Sequence, residues 1–145
     1  MRTVRACLAA CALVAAGGCL GDGGTVMLTF EQQAAVTPTV SGFNATNATA
    51  NTSSDGLVHF TATSGQGTLT MLVTGPIHAG DMVDLMAEHN FVSFDAPGAG
   101  WSSNGGTLAV DSVSPYNVRF VAVPMLPGSG AAMGSFVING SGTFK

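Results

Sequence analysis

The sequence predicts an all-β protein: a single antiparallel β-sandwich or barrel of about eight to ten short strands, joined largely as a meander. Three observations support this fold class. Short runs rich in β-branched and apolar residues recur at intervals of about 8–12 residues, with Gly, Pro, Asn or Asp between them. Apolar and polar residues alternate within several of these runs. Neither a long helical stripe nor a repeat of solenoid length is visible in the sequence.

The first part of the β domain covers residues 25–54. Residues 25–30 are β-branched and apolar and predict the first strand. Residues 32–40 predict a second strand, which Pro38 interrupts, as happens at the edge or end of a sheet. Residues 41–54 are polar and show no hydrophobic periodicity, so we expect a polar loop there.

A β-hairpin is predicted over residues 57–74. Its second half alternates Leu69, Met71 and Val73 with more polar neighbours, which is the period of a half-buried strand. The connection at residues 64–67 contains two glycines, as in a tight turn between paired strands.

Residues 82–89 fit two interpretations. As a helix, they would form a short apolar stripe that begins at Met82. As a strand over residues 82–87, they would form a hairpin with residues 91–95 through a turn at residues 88–90. We favour the hairpin because it continues the rhythm of the neighbouring strands, and the sequence leaves the helix open.

The last third of the chain continues this rhythm of strands and connections. The predicted strands are 107–113, 118–123, 133–138 and 141–144. The predicted connections are 97–100, Asn104-Gly105, 114–117, 124–130 and Asn139-Gly140. The two Asn-Gly pairs are typical of type I′ turns, so we expect a closing hairpin at the second one.

The N-terminal segment is typical of a secretory signal. Arg2 and Arg5 precede an apolar run of about 11 residues, and small residues follow it. The run is too short to span a bilayer, which takes about 20 apolar residues. We therefore expect residues 1–18 to be removed on export.

The small residues that end in Cys19 resemble the lipobox of bacterial lipoproteins. The resemblance covers this segment alone, and Ala16 stands where that class prefers Leu. Cys11 follows a better local match but would leave a much shorter apolar run, so we favour Cys19. The resemblance implies that Cys19 is acylated, becomes the first residue of the mature chain and anchors it in the membrane. A cleaved signal without lipid is the alternative.

These observations divide the chain into three parts. Residues 1–18 are the signal, residues 19–24 the lipidated N-terminus with a short tether, and residues 25–145 a single β domain. In the lipoprotein class, an Asp after the cysteine accompanies retention at the inner membrane in some bacteria. Leu20 occupies that position, which favours the outer membrane in a cell that has one.

Composition and charge argue against several partners. Removal of the two signal arginines changes the net charge from −4 to −6 and leaves Arg119 and Lys145 as the remaining Arg and Lys residues. Nucleic-acid binding needs several such cations, so we expect no nucleic-acid partner and no electrostatic docking on anionic lipid heads. Two cysteines leave with the signal and Cys19 carries lipid, so none is left for a disulfide or a nucleophile.

One segment concentrates the residue types that bind metals. It contains two imidazoles and three carboxylates within twelve residues: His78, Asp81, Asp84, Glu88 and His89. Zinc accepts such ligands, and calcium accepts the carboxylates, which makes a metal-dependent hydrolase a third hypothesis. The spacing matches no zinc or calcium signature, and solvated turns explain the same residues, so we predict no cofactor.

Trp101 and Tyr116 lie near predicted turns, where exposed aromatic rings can stack on sugars. A Trp101 that covers the core, with its indole N–H near water, is the simpler explanation for that residue. Our first prediction is a non-enzymatic, lipid-anchored envelope protein with a structural or protein-binding role. The alternative is a small-ligand or glycan-binding module with its site at the rim of a sandwich or inside a barrel.

Overall fold

The computed structural model describes residues 23–145, and this part of the chain contains ten β-strands and no helix. All of its strand pairs are antiparallel, which confirms the predicted fold class. The strands are β1 (Gly24–Gln32), β2 (Gly42–Thr52), β3 (Leu57–Ser64), β4 (Gly67–Thr74), β5 (Met82–Asp84), β6 (Phe91–Ala96), β7 (Ala99–Ser103), β8 (Thr107–Val113), β9 (Tyr116–Gly130) and β10 (Phe136–Phe144).

Eight of the strands close into a barrel, which decides between the sandwich and the barrel. Their order around the wall is β1, β2, β3, β4, β6, β7, β9 and β10, and β10 returns to pair with β1. The other two strands, β8 and β5, form an extension beside β9. β9 therefore has two neighbours along one edge: residues 116–121 pair with β8 and residues 125–130 pair with β7.

Apolar side chains fill the barrel interior. Residues alternate between buried and exposed along most strands, and no polar or charged side chain is buried between Gly23 and Lys145. Eight aromatic side chains are buried, and seven of them pack against another aromatic ring; Phe30, for example, stacks on Phe136 with ring centroids 4.6 Å apart. A barrel of eight strands is just wide enough for side chains to fill it, so this domain is a packed scaffold.

The connections define two ends of the barrel. The end that we call proximal carries residues 53–56, 75–81 and 114–115 and the last residue, Lys145. The distal end carries residues 33–41, 65–66, 97–98 and 131–135. β1 begins opposite Ala48 of β2, and beyond that point the Lys145 backbone bonds to Ala48 and Ala50 directly. β1 therefore begins toward the proximal end of the barrel.

The expected polar loop at residues 41–54 is wrong, because most of this segment is strand β2. Its inward positions hold Phe43 and two alanines, while asparagine and threonine face outward. A register shift in its pairing with β1 interrupts the alternation. Small inward side chains and one interruption together hide the period of two that identifies a strand. The strand expected over residues 32–40 is also wrong beyond Gln32, where an isolated bridge joins Thr37 to Met133.

The hairpin between residues 82–87 and 91–95 is wrong as well, and so is the helix. Only Met82–Asp84 forms a strand, and it pairs with β8, whereas β6 pairs with β4 and β7. Turns follow over residues 85–90, where the Asn90 side chain bonds to the backbone of Thr74 and Asp84. These side-chain bonds close the turns, and no hydrophobic period signals them.

Two predicted connections are part of strands. Residues 124–130 form the second half of β9, and Asn139-Gly140 lies within β10 at a register shift against β9. Asn104-Gly105 does connect β7 to β8, but these strands do not pair with each other. The predicted hairpin over residues 57–74 is confirmed, and its two strands pair from Leu57 with Thr74 to Ser64 with Gly67.

Candidate functional site

The proposed lipidation site, Cys19, lies outside the described residues, as does the alternative Cys11. Within residues 23–145, no helix is long and apolar enough to cross a membrane.

The five candidate metal ligands are not brought together. His78 contacts Asp81, whose carboxylate also accepts the His78 backbone N–H at 2.7 Å, and His89 contacts Glu88. The Asp84 carboxylate accepts a hydrogen bond from the Met86 backbone and so closes a turn. These side chains stabilise the connections around β5, as solvated turn residues do. No group of three or more His, Cys, Asp or Glu side chains in the described part of the chain is placed to hold a metal ion.

Trp101 belongs to the barrel core and is only 1% exposed. Its indole N–H donates a hydrogen bond to the Gly134 carbonyl at 3.2 Å. Phe94 and Phe136 cover the ring at centroid distances of 6.4 and 5.5 Å. The core interpretation of Trp101 is thus correct, although protein backbone rather than water satisfies the N–H. The sugar-stacking role proposed for Trp101 is wrong, because neither face of the ring is accessible.

Tyr116 lies at the proximal end of the barrel, between two surface grooves that it helps to line. Its half-buried ring packs edge to face on Phe60, with centroids 5.2 Å apart. Each groove has a cavity volume of about 380 Å³, at the small end of the range for ligand sites. We call the first the turn groove; it is lined by Thr52, Gly56, Val58, Gly75, Pro76, Ile77 and Tyr116. The second is the terminal groove; it is lined by Ala50, Val113, Ser114, Pro115, Tyr116, Phe144 and Lys145.

The wall of the turn groove depends on a close approach between two connections. The Gly75 N–H donates to the Gly56 carbonyl at 2.9 Å, and a Cβ at Gly75 would lie 2.6 Å from that oxygen. Gly56 itself has a φ of 83°, which favours glycine. The sequence Ser53-Ser-Asp-Gly56 therefore forms a tight turn that the β4–β5 connection can approach.

Asp55 stabilises the same turn. Its carboxylate accepts hydrogen bonds from the Ser53 hydroxyl and from the Leu57 backbone N–H. The Ser53 hydroxyl, followed by the Leu57 N–H, lowers the pKa of Asp55 below its usual value of 3.8, so the carboxylate is ionised at neutral pH. The turn at residues 53–56 therefore places a negative charge beside the turn groove.

Both grooves offer apolar walls with a few polar groups at the rim. Val58 and Ile77 line the turn groove together with Tyr116, and Phe144 forms part of the terminal groove, where Lys145 supplies a cation. An aromatic ring between two shallow apolar surfaces suits a small, flat, largely uncharged ligand. The position of Tyr116 next to a turn indicated an accessible ring, whereas the residues from β2, β3 and β10 carried no sequence signal because distant strands bring them together.

Comparison with known proteins gives no relative from which a role could be inferred. No protein-family model, no curated protein and no solved structure matches this chain.

Proposed function

We propose that this protein is a lipid-anchored, extracytoplasmic envelope protein that acts without catalysis, as a structural or protein-binding module. The observation that carries the proposal is the dense packing of side chains in the interior of the barrel. Rings such as Phe43, Phe94 and Phe136 are fully buried, so the barrel presents its outer surface and ends to partners. A rigid, packed scaffold on a membrane tether suits that role.

The position of the first strand supports a tether at Cys19. Gly23 begins the described chain near the proximal end, four residues after Cys19. Four residues reach at most about 14 Å, so acylation at Cys19 would hold the proximal end close to the membrane surface. The distal end would then point away from the membrane, toward partners in the surrounding compartment.

A substitution at Cys19 tests the anchor. We expect the Cys19→Ala protein to move from the membrane fraction to the soluble fraction, because two or more acyl chains are needed for lasting attachment. Cys11→Ala is the matched control and should leave the membrane fraction unchanged. Intact-mass measurement of the purified wild type should show a chain that begins at residue 19 and carries added acyl mass.

Two outcomes would contradict the anchor. One is a Cys19→Ala protein that still sediments with membranes as the wild type does. The other is a wild-type mass that fits a cleaved chain with no acyl group.

The paired grooves beside Tyr116 favour a second candidate function, the binding of a small ligand or glycan. Titration calorimetry of the full chain with chitotriose checks it. We expect Tyr116→Ala to lose binding and Tyr116→Phe, which keeps the ring, to retain it. If the wild type and Tyr116→Ala bind chitotriose with equal affinity, Tyr116 is not part of the ligand site.

A further inference from the structure

The chain contains two Asn-Gly pairs, and the structure places them in different environments. Asn104-Gly105 lies in the connection between β7 and β8, whereas Asn139-Gly140 lies inside strand β10. An asparagine amide can react with the backbone nitrogen of the next residue, and a glycine there has no side chain to shield that nitrogen. The reaction depends on how freely the main chain can turn to bring the two groups together.

The Asn104 side chain can make this approach. It is exposed, and neither its amide nor the Gly105 N–H has a hydrogen bond to another residue in the described part of the chain. The main chain is held on either side: the Asn104 N–H donates to the Pro124 carbonyl at 2.9 Å, and the Gly106 carbonyl accepts from the Leu85 N–H at 3.1 Å. None of these bonds fixes the peptide group between Asn104 and Gly105, so it can turn toward the side chain.

The Met86 side chain lies over Gly105 without preventing the reaction. Its nearest atoms would be 3.5 Å from a Cβ at Gly105, and 68% of Met86 is exposed. A methionine side chain is flexible, so small motions admit water to the Gly105 nitrogen. Because the attack takes place between two adjacent residues, no larger molecule has to reach that nitrogen.

Asn139 is held by hydrogen bonds and by strand pairing. Its side-chain carbonyl accepts the Ala122 N–H at 2.9 Å, and its backbone carbonyl accepts the Thr29 hydroxyl at 3.2 Å. Asn139 and Gly140 belong to an uninterrupted run of residue pairs with β1, and a Cβ at Gly140 would collide with the Met27 carbonyl oxygen. Turning the main chain at this point would break strand pairing, so the reaction there first requires the wall of the barrel to open.

We infer that Asn104 is a site of spontaneous deamidation and that the fold protects Asn139 from the same reaction. The Gly105 nitrogen attacks the Cγ atom of Asn104, a C–N bond forms, and the side-chain amide group leaves as ammonia, which takes up the proton of the Gly105 N–H. Water then opens the cyclic imide at either carbonyl and gives aspartate or isoaspartate, so water is the only co-reactant. The product carries an additional negative charge at neutral pH. Isoaspartate also lengthens the main chain between β7 and β8 by a methylene group.

Peptide mapping by mass spectrometry, after the purified protein has been stored at mildly alkaline pH, tests the inference. We expect the peptide with Asn104 to gain about 1 Da and the peptide with Asn139 to convert about tenfold more slowly or less. The same protein unfolded in guanidinium chloride is the control, because both Asn-Gly pairs should then convert at similar rates. Asn104→Gln should remove nearly all of the change at this position, since glutamine forms its larger cyclic imide much more slowly.

Several results would overturn the inference. The first is a folded protein in which Asn139 converts as fast as Asn104, because the fold would then not distinguish the two pairs. The second is an Asn104 that stays unchanged in the folded protein and converts only after unfolding, which would make the β7–β8 connection as protective as β10. The third is an Asn139 that stays unchanged in the unfolded chain as well, because its protection would then come from its sequence neighbours. Both sites are compared within one wild-type molecule, so these results do not depend on whether a variant folds.

Discussion

The β3–β4 hairpin and the long strand β9 achieve their pairing in different ways. In the hairpin, eight consecutive residue pairs form without a register shift. β9 divides its pairing among β7, β8 and β10 and shifts register against each of them. Closure of the barrel thus concentrates backbone irregularity in one strand, because bulges absorb the change of twist and partner there.

The glycines near these elements show the same contrast. A Cβ at Gly65, in the hairpin turn, would meet nothing within 4 Å. Gly106 begins the approach of β8 to β9 and has a φ of 88°, and a Cβ there would lie 2.7 Å from the Val123 Cα. The hairpin turn has room for a side chain at Gly65, whereas the wall beside β9 requires a glycine at Gly106.

The largest effect should come from Gly106→Ala. We expect it to lower the free energy of unfolding by about 3 kcal/mol, because the methyl group meets the β9 backbone and the residue keeps a left-handed φ. Gly65→Ala should change the stability by less than about 0.5 kcal/mol. Urea unfolding of the three proteins measures both differences.

Gly105→Ala separates the clash from the backbone strain. Gly105 also has a positive φ, 103°, but a Cβ there would meet only the flexible Met86 side chain, at 3.5 Å. We expect Gly105→Ala to cost about 1 kcal/mol, the strain alone. Equal losses at Gly105 and Gly106 would show that the contact with Val123 does not matter.

The same contrast explains how far the fold can be predicted from sequence. The hairpin pairs residues that are near in the chain, so alternation and a Gly-rich turn were sufficient to predict it. Asn139-Gly140 has the composition of a turn, but it lies opposite a bulge of β9, where turn-forming residues fit equally well. β2 was missed because alanine carries little hydrophobic signal at its inward positions.

The candidate functional residues also differ in how far their positions can be predicted from the sequence. Tyr116 follows a short turn, which its Ser-Pro neighbours indicate, so its place at one end of the barrel could be anticipated. Trp101 also precedes a connection, but its burial depends on the Phe94 and Phe136 rings from other strands. β4 pairs with β6 and not with β5, the next strand along the chain, and no local pattern reveals such a pairing.

A smaller effect, of opposite sign, is expected at Ala122. This residue forms the bulge of β9 with a φ of 48°, in the left-handed region that alanine adopts with strain. Its N–H donates to the Asn139 side chain at 2.9 Å, and glycine would keep that bond. We expect Ala122→Gly to raise the free energy of unfolding by about 0.5 kcal/mol, as relief of strain exceeds the added chain entropy.

Ala131→Gly is the matched control for Ala122→Gly. Ala131 is exposed at the distal end and has no positive φ, so glycine adds entropy to the unfolded chain without relieving strain. This variant should be slightly less stable than the wild type in thermal unfolding. If both substitutions destabilise the protein equally, the bulge in β9 is not a strained position.

The smallest effect should come from the ion pair that joins β8 to β9. The Arg119 guanidinium donates two hydrogen bonds to the Asp111 carboxylate, at 2.7 and 2.8 Å. These bonds lower the pKa of Asp111 below its usual value of 3.8, and the ionised pair stabilises the folded state above that value. Both side chains are exposed, so salt screens the contribution.

The sign of the pH dependence follows from the lowered pKa. Stability from the pair is complete at neutral pH and is lost as the pH falls through the folded-state pKa of Asp111, because protonation removes the charge that Arg119 contacts. We therefore expect Asp111→Asn to lower the unfolding temperature slightly at pH 7 and to match the wild type once the pH lies below the folded-state pKa of Asp111. The Glu31 carboxylate pairs with no cation among residues 23–145, so the control variant Glu31→Gln should show no such convergence. If Asp111→Asn and the wild type still differ in acid, Asp111 stabilises the pairing of β8 with β9 through the packing of its side chain and not through its charge.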